Sequence, residues 1–448
     1  MKYQLRNTML DILIRIEKDH GFSNLLLNHE LKQRQFNEKD ERLLTEVVYG
    51  SLQHQMTLDY YLSKFVKSKK KLDVWVQSLL RMSFYQMIYL EKVPDHAVIH
   101  ESVEIAKQRG HKGIASFVNG VLRSLQRQGV PDLTDIKDPI ELIAIETSHP
   151  EWLVKRWAEM YGIETTANMC RNNLERHPLS IRIQPLRTSR EEVMQELNQL
   201  GIESRPSIFS NQGIIIKKGN IFRTNLIKEG KATIQDQSSM LVGEMLAVES
   251  GMHVLDGCSA PGGKVTHVAE KMQDKGTIHA FDLHAKKIKL IDEKASTLHL
   301  TSIHAQKGDA RKLASKYEKD SFDRIVVDAP CSGLGVINGK PEIKYEKSEE
   351  DIHRLAIIQQ DILNEVIPLL KQNGLLIYST CTVDKEENDN VVRNVVQQHN
   401  DVEIDLSFRD ELPKELQDAP GWSGEGLQLF PQDFHTDGFF LTRFKKIR

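Results

Sequence analysis

The chain has 448 residues, 40% hydrophobic and 27% charged, a composition typical of a globular protein with two to four domains. No apolar run approaches the length of a membrane span and the N-terminus lacks a signal-peptide core, so we expect a cytoplasmic protein. The cysteines have no C-x-x-C spacing, which indicates neither a disulfide framework nor a metal site, and we expect reduced thiols. They are Cys170, Cys258, Cys331 and Cys381.

The net charge of −3 is unevenly distributed along the chain. Residues 1–130 carry 20 Lys and Arg against 14 Asp and Glu, whereas the remaining residues carry 40 against 49. A basic N-terminal segment on an acidic body favours a polyanionic partner, although such charges commonly form a solvated face. The basic run Lys67–Lys71 leaves both interpretations open: a solvated loop, or part of an RNA-contacting surface.

Residues 1–130 have the pattern of an all-helical bundle. Apolar residues recur at helical spacing, and glycine or proline separates the segments, so short connections should join the helices into a compact bundle. The residues that carry this pattern are Leu10, Leu13, Ile14, Leu43, Leu44, Val47 and Val48, with Gly21, Gly50, Pro94 and Gly110 between segments. The stretches Val93–Lys107 and Phe117–Leu122 resemble the RNA-binding bundle of the NusB family. The resemblance implies an RNA-binding domain.

Residues 131–145 contain two prolines and several Asp residues, which is typical of a linker. Residues 146–231 then predict a small α+β RNA-binding module. Its predicted elements are an amphipathic helix starting near Ser148–Pro150, strands at Leu179–Ile183 and Gly213–Lys217, and a helix over Ser189–Leu200. Within the first strand, Arg182 either reaches an RNA phosphate or is an ordinary surface residue.

Residues 232–448 show the strand and helix alternation of a doubly wound, Rossmann-like α/β domain. Ligands of such domains bind outside the carboxyl ends of the strands, so the residues that follow each strand are the informative ones. The predicted strands are His253–Leu255, Thr277–Phe281, Ile303–Gln306, Arg324–Val327 and Leu375–Tyr378.

The segment Leu255–Lys264 is a Gly-rich turn between a strand and a helix. Such a turn directs backbone N–H groups and the positive end of a helix towards a ligand, which suits an adenosyl or phosphate group. It is not a phosphate-binding Walker A loop, because Gly263 stands where that loop needs Lys, and it also lacks the G-x-G-x-x-G spacing. A loop that merely turns remains the alternative.

Two acidic residues follow the next strands. Asp282 lies where nucleotide-binding folds place an acceptor for ribose hydroxyls, and Asp309 is placed to meet an adenine amino group. Either could instead cap a helix, which is a common position for Asp. Their succession after consecutive strands predicts an S-adenosylmethionine pocket.

Two cysteines follow the last predicted strands, Cys331 in Asp328–Gly333 and Cys381 in Tyr378–Thr382. A buried structural cysteine is the ordinary interpretation of either one. Two thiols at neighbouring strand ends instead favour catalysis, because a deprotonated cysteine adds reversibly to an electron-poor ring.

These motifs resemble those of the RNA 5-methylcytosine methyltransferases. The resemblance covers nearly the whole chain and is carried by Asp256–Lys264, Asp328–Gly333 and Ser379–Cys381, together with Ile234–Met240 and Thr436–Phe440. It implies that Cys381 attacks C6 of the target cytosine, that Asp328 polarises the ring near N3, and that Cys331 assists release. DNA cytosine methyltransferases use the Pro-Cys position as nucleophile, so the residues alone leave the order of the two thiols open.

The resemblance also implies S-adenosylmethionine as cofactor. The residues implied to bind it are Cys258, Ser259, Ala260, Pro261, Gly262, Gly263, Lys264, Asp282, Asp309 and Asp328. Two departures concern the Gly-rich turn, where Gly257 and Ser259 replace residues that are often Ala in the family. In the loop of residues 335–350, Asn338-Gly339 replaces a basic pair and Tyr345 replaces Trp, and we expect this loop to lie over the substrate.

The NusB-like bundle favours 16S ribosomal RNA as the partner, with no role for DNA or a membrane, and we expect a monomer. The same chemistry on tRNA or another RNA is the first alternative. The second is an RNA-binding or antitermination factor with an inactive methyltransferase body. The presence of Cys331, Cys381 and the cofactor-site aspartates argues against that second alternative.

Overall fold

A computed structural model describes residues 3–19, 21, 23–34, 36–66 and 72–448. The basic run Lys67–Lys71 lies outside these residues. The chain forms two compact units. The first contains the described residues up to Glu175 together with Ile337–Glu346, and the second contains Arg176–Val336 and Lys347–Arg448. Among the described residues, no helix has the length and apolar character needed to cross a membrane.

The first unit is helical, as predicted. The apolar stripes identified in the sequence face its core, where Leu10, Leu44, Val47 and Val48 are fully buried. Its helices up to Glu175 are α1 (Gln4–Asp19), α2 (Ser23–Gln33), α3 (Glu38–Gln53), α4 (Gln55–Phe65), α5 (Val74–Tyr89), α6 (Asp95–Arg109), α7 (Lys112–Gln128), α8 (Pro139–Thr147), α9 (Glu151–Tyr161) and α10 (Ile163–Asn172).

Helix α8 begins inside the segment that the sequence predicts as a linker. Asp138 caps it by accepting hydrogen bonds from the N–H groups of Ile140 and Glu141, and Pro139 occupies the first turn, where no amide hydrogen is needed. Ile143 and Ala144 are buried. Helices α8–α10 therefore group with the helical unit, whereas the proposed four-part division of the chain remains a prediction.

The segment Ile337–Glu346 is separated in sequence from the rest of the first unit but packs within it. Lys344 is fully buried and donates to the carbonyl of Gln53 at 2.9 Å. The Tyr345 hydroxyl lies 3.0 Å from the carbonyls of Leu52 and Ser148. Lys344 and Tyr345 therefore point into the helical unit, and the expectation that the 335–350 loop lies over the substrate stays a prediction.

The second unit begins with a four-stranded antiparallel sheet in the order β2-β3-β1-β4. Its elements are β1 (Leu179–Ile183), α11 (Arg190–Gln199), β2 (Glu203–Pro206), β3 (Gly213–Lys218) and β4 (Ala232–Ile234). Alternation in β1 places Ile181 and Ile183 in the core, and Ser189 with Glu192 forms a capping box at α11. The predicted small α+β fold is confirmed.

A mixed eight-stranded sheet forms the rest of the second unit, in the order β10-β12-β9-β8-β5-β6-β7, with β11 paired to β12. The strands are β5 (His253–Asp256), β6 (Thr277–Asp282), β7 (Ile303–Lys307), β8 (Phe322–Asp328), β9 (Leu370–Thr380), β10 (Val402–Ile404), β11 (Leu427–Leu429) and β12 (Phe439–Lys446). The five predicted strands, β5 to β9, pair in parallel, and β12 runs antiparallel to β9. The Rossmann-like prediction is confirmed, with β10–β12 as an unpredicted addition.

Helices follow most of these strands. They are α12 (Gln237–Met245), α13 (Gly263–Lys271), α14 (Ala285–Thr297), α15 (Ile343–Glu346, in the first unit), α16 (Glu349–Val366), α17 (Asp389–Gln398), α18 (Phe408–Glu411), α19 (Lys414–Gln417) and α20 (Pro431–Phe434). The strand order reverses between β5 and β8, so a crevice opens at their carboxyl ends.

Candidate active site

The carboxyl edge of the parallel strands brings together most of the residues that the sequence singles out. Asp256, Asp282 and Asp328 are the last residues of β5, β6 and β8. Cys381 directly follows β9 and Asp309 lies two residues beyond β7. Because parallel strands present their carboxyl ends at one edge, the predicted cofactor and catalytic residues share one face of the second unit.

The Gly-rich turn links β5 to α13. Gly262 adopts a left-handed conformation, with φ of 99°, at the N-cap of α13, and its N–H donates to the Ser259 carbonyl at 2.8 Å. The Ser259 N–H donates to the carbonyl of Phe281 on the neighbouring strand at 2.8 Å. The first N–H groups of α13 have no partner within their own helix. The turn is thus fixed to the sheet and presents a helix N-terminus at the crevice.

Asp256 is a buried acid whose role was not predicted. One carboxylate oxygen accepts the N–H of Cys258 at 3.2 Å, while Oδ2 has no hydrogen-bond partner among the described residues. Burial, with a contribution from Asp328, raises the pKa of Asp256 to about 7. A buried acceptor without a partner suits a polar ligand that donates hydrogen bonds. Its position at the end of β5 was the available sequence signal.

Asp282 is largely buried and accepts the His284 N–H at 3.0 Å, with Lys287 Nζ at 3.6 Å. Asp309 accepts the Arg311 N–H at 3.0 Å and its guanidinium at 2.8 Å, so the Arg311 side chain lowers the pKa of Asp309. Asp309 therefore also serves as the cap of a 3-10 turn, the alternative that the sequence leaves open. These loops are adjacent, since the Gly308 N–H donates to the Asp282 carbonyl at 3.0 Å.

The two cysteines meet at the crevice. Cys331 Sγ lies 3.3 Å from Cys381 Sγ, and both residues are partly exposed. Hydrogen bonding to Cys381, together with burial, raises the pKa of the Cys331 thiol well above its usual range. Cys331 therefore favours its protonated form and lies within hydrogen-bonding distance of the second sulfur.

Asp328 and Lys264 form an ion pair between the Gly-rich turn and β8. Lys264 Nζ lies 2.6 Å from Asp328 Oδ2, and the Ser379 hydroxyl donates to Oδ1 at 2.8 Å. Lys264 also lies 5.3 Å from the ring centre of Phe439. Burial disfavours the ammonium charge, but Asp328, with a smaller contribution from Cys381, outweighs it and raises the pKa of Lys264. The predicted cofactor-loop lysine is therefore a cation beside the thiol pair.

A buried carboxylate that sequence reasoning missed supports the Cys331 loop. Glu387 accepts the Ser332 N–H at 2.8 Å and also the Ser332 hydroxyl, while Gln359 donates to it at 3.0 Å. Ser332 contacts the Thr382 hydroxyl at 2.9 Å, which ties the two cysteine loops together. Burial raises the pKa of Glu387 to about 7.

Arg182 does not fit either interpretation offered by the sequence. It is fully buried and makes a two-pronged ion pair with Glu270 of α13 at 2.8 and 2.9 Å. It also donates to the Gly263 carbonyl at 2.6 Å and to Thr266 at 3.0 Å. Arg182 is therefore neither a surface residue nor a phosphate contact. Its hydrogen bonds join β1 of the small sheet to α13.

Family models match three successive parts of the chain. The NusB family matches residues 3–127, a ferredoxin-like domain of RsmF/B-like methyltransferases matches residues 149–221, and the 16S rRNA methyltransferase RsmB/F family matches residues 244–445. The resemblance of the N-terminal bundle to NusB and that of the C-terminal motifs to RNA methyltransferases thus agree with the matched families.

Among solved structures, the crystal structure of PH0851 superimposes with a TM-score of 0.82 and 24% identity over 98% of each chain. NSun6 from Pyrococcus horikoshii, solved with SFG, has a TM-score of 0.60 and 20% identity, and covers 67% of this chain and 98% of its own. At these identities the likeness concerns the fold.

Curated relatives are closer in sequence. A probable ribosomal RNA small subunit methyltransferase B of Bacillus subtilis (strain 168) is 48% identical over 445 residues, 99% of each chain. The corresponding protein of Synechocystis sp. (strain ATCC 27184 / PCC 6803 / Kazusa) is 32% identical over 97% of this chain and 98% of its own. Because these relatives align from end to end and the Gly-rich and cysteine motifs lie in the matched methyltransferase region, the chain belongs to the ribosomal RNA small subunit methyltransferase B family.

Proposed function

We propose that the protein uses S-adenosylmethionine to methylate C5 of a cytosine in small-subunit (16S) ribosomal RNA through a covalent bond between Cys381 and C6. The observation that carries this proposal is the pair of thiols, 3.3 Å apart, beside the Asp328–Lys264 ion pair. The names of the aligned relatives specify small subunit ribosomal RNA and support the substrate. A cytoplasmic monomer remains our prediction.

The proposed nucleophile is Cys381. A cation near a thiol favours the thiolate, and Lys264 is the cation that interacts with Cys381. Cys331 donates its hydrogen bond to the same sulfur when it keeps its proton. The Cys381 thiolate would form a bond to C6, which makes C5 nucleophilic. The methyl group would then pass to C5, leaving S-adenosylhomocysteine. When a base such as a water molecule takes the C5 proton, the C5–C6 double bond re-forms, and the S–C6 bond breaks with its electrons returning to Cys381 as thiolate.

Cys331 would assist that last step. Its thiol, 3.3 Å from the departing sulfur, stabilises negative charge on Cys381 by hydrogen bonding as the S–C6 bond breaks. The raised pKa keeps the Cys331 proton in place for this role. The order of the two thiols follows the resemblance to the RNA family, and the nearby Lys264 cation is consistent with a thiolate at Cys381.

Asp328 would orient the cytosine ring. Lys264 and Ser379 each hold one carboxylate oxygen, at 2.6 and 2.8 Å, so the carboxyl group has a fixed position beside the thiols. As a carboxylate, Asp328 would accept a hydrogen bond from the exocyclic amino group of cytosine, next to N3, and so hold the ring in place, while the Lys264 ammonium stabilises the negative charge that develops when sulfur adds to C6. Lys264 would limit the accumulation of negative charge from Asp328 and the Cys381 thiolate.

S-adenosylmethionine, when bound, supplies the methyl group. The crevice fits such a ligand, because the N-terminus of α13, the Oδ2 atom of Asp256 and the carboxylate of Asp282 all lie at the same sheet edge. Asp282 would accept from the ribose hydroxyls and Asp309 from the adenine amino group. The turn residues Cys258–Lys264 would line the rest of the ligand, with Asp328 at its edge.

The test separates the two thiols with radiolabelled cofactor and in-vitro-transcribed small-subunit rRNA. Cys381→Ala should abolish methylation and form no covalent complex, because no bond to C6 can form. Cys331→Ala should still transfer the methyl group and then accumulate a protein–RNA complex that survives a denaturing gel. Cys170→Ala, which alters a buried cysteine of the helical unit, serves as the control and should behave as wild type.

Two results would contradict the assignment. A complex trapped by Cys381→Ala and absent from Cys331→Ala would mean that the Pro-Cys residue attacks. Label that appears outside C5 of cytosine, as read by nucleoside chromatography, would contradict the proposed chemistry itself. Methylation of tRNA in preference to small-subunit rRNA would keep the chemistry and overturn the substrate.

A further inference from the structure

The small sheet of the second unit carries an open cleft that the proposed chemistry does not use. The cleft has a volume of about 440 Å³ and is lined by residues 176–179, which lead into β1, and residues 216–222, at the end of β3 and the turn after it. Both segments belong to the second unit, so the cleft lies within one compact body.

Phe222 projects from this cleft. Its side chain is 66% exposed, the largest value among the exposed apolar side chains of the part of the chain that the structure describes. Two contacts shape the turn that carries it: Asn220 accepts the Phe222 N–H at 2.9 Å, and the neighbouring Ile221 is buried in the core of the small sheet. The ring is therefore held outwards by its backbone, at the cost of leaving apolar surface in water.

The surroundings of Phe222 are cationic. Arg176, Lys217 and Lys218 line the cleft, and its lining, all of it within the described residues, contains no carboxylate. Lys218 lies 3.6 Å from Glu203, but both side chains are more than 60% exposed, so water screens this pair. An exposed aromatic ring beside cationic side chains is the combination that proteins use to bind single-stranded nucleic acid.

Hydrogen bonds and a ring contact within the second unit connect the cleft to the catalytic loops. The rings of His177, in the cleft, and His435 lie 6.4 Å apart between centres. Three residues after His435, the Gly438 N–H donates to the Gly335 carbonyl at 2.8 Å, and the Gly335 N–H donates to the Cys381 carbonyl at 2.9 Å. The cleft and the Cys381 loop are therefore linked through residues 435–438 within one compact unit.

We infer that Phe222 stacks on a base of the single-stranded RNA that carries the methylated cytosine, with Lys217 and Lys218 against the phosphates of that segment. The inference rests on the proposed function, which supplies RNA as the occupant. Stacking on one aromatic ring tolerates any base, so this surface would add affinity and fix the path of the strand without selecting a sequence.

The experiment measures binding of the full-length protein to a fluorescein-labelled single-stranded RNA of mixed sequence, by fluorescence polarisation. Phe222→Ala should weaken binding about tenfold, in line with the value of one stacked base. Phe222→Leu should weaken it similarly, since it keeps apolar bulk but lacks a ring. Phe222→Trp should restore binding to near the wild-type level. A leucine variant that binds like wild type would overturn the stacking role.

Matched variants address charge and folding. Leu200→Ala changes another exposed apolar residue of the same small module, 57% exposed, and should leave binding unchanged. Lys217→Gln with Lys218→Gln should flatten the dependence of log affinity on log salt by about 0.7 for each phosphate that the variant no longer neutralises. Thermal unfolding of each variant should match wild type, because the changed side chains are exposed. An unchanged salt dependence would show that Lys217 and Lys218 do not contact the RNA phosphates.

Methylation assays distinguish failure of this inference from failure of the proposed function. If wild-type protein methylates C5 of cytosine and Phe222→Ala raises KM for rRNA with kcat retained, the result supports both the proposed function and the stacking inference. If wild-type protein methylates normally and Phe222→Ala has the wild-type KM, only the stacking inference fails. If wild-type protein does not methylate RNA, the proposed function fails. A change in sedimentation of Phe222→Ala would instead assign the ring to an interface between copies of the chain.

Discussion

Replacing Arg182 by methionine should damage both stability and the cofactor site. The substitution leaves Glu270 buried without its cation, since both side chains have no exposed surface. Breaking a buried ion pair by removing one partner costs about 3–5 kcal/mol. For a domain of this size, each kcal/mol lowers the midpoint of thermal unfolding by about 2–4 °C. The midpoint of the second unit should therefore fall by roughly 6–20 °C, as read by differential scanning calorimetry.

The same substitution should weaken cofactor binding, because Arg182 donates to the Gly263 carbonyl in the first turn of α13. Arg187→Met is the matched control: this arginine is exposed in the same module, and its loss should cost under about 0.5 kcal/mol. Combining Arg182→Met with Glu270→Met should recover much of the lost stability, since no uncompensated charge remains. Equal midpoints for Arg182→Met and Arg187→Met would refute this reasoning.

Two further predictions concern the crevice. Asp282→Ala should weaken S-adenosylmethionine binding about tenfold or more, since a hydrogen bond to a charged group contributes about 1.5–3 kcal/mol; Asp292→Ala, at an exposed position of α14, should bind normally in calorimetry. The raised pKa of Glu387, about 7, means that the folded state retains a proton which the unfolded state loses near pH 4.5. The stabilisation of the folded state by this proton is complete below pH 4.5 and is lost as the pH rises through about 7. As the pH rises from about 5 to 8, the free energy of unfolding, measured with urea, should therefore fall less for Glu387→Gln than for wild type. An equal fall in both proteins would contradict a raised pKa at Glu387.

The sequence predicted the parallel strands because each is a short apolar run followed by an acid, a Gly-rich turn or a cysteine motif. Their order along the chain places Asp282, Asp328 and Cys381 at one edge, since parallel strands share their carboxyl ends. The antiparallel strand β12 was missed because its pairing with β9 joins segments about sixty residues apart, and no hairpin signal links them.

The supporting residues escaped prediction for a related reason. The alternation of residues in β1 indicates on which face of the sheet Arg182 lies, but not which element packs against that face. Its partner Glu270 is 88 residues away in the sequence. Glu387 reaches Ser332 across 55 residues. Local patterns carry no information on such pairings. The sequence thus identified the groups proposed to touch ligand and not those that hold them in place.

The placement of Ile337–Glu346 has a consequence for synthesis on the ribosome. The helices that emerge first lack the buried Lys344 amino group and the Tyr345 hydroxyl, which bond to the carbonyls of Gln53 and Leu52. Those bonds cannot form until the chain has been made through residue 346, after both the Gly-rich turn and Cys331 have emerged. The helical unit can therefore be completed only after much of the methyltransferase region has been synthesised. A helical bundle expressed on its own would lack the bonds made by Ile337–Glu346 unless this segment were added.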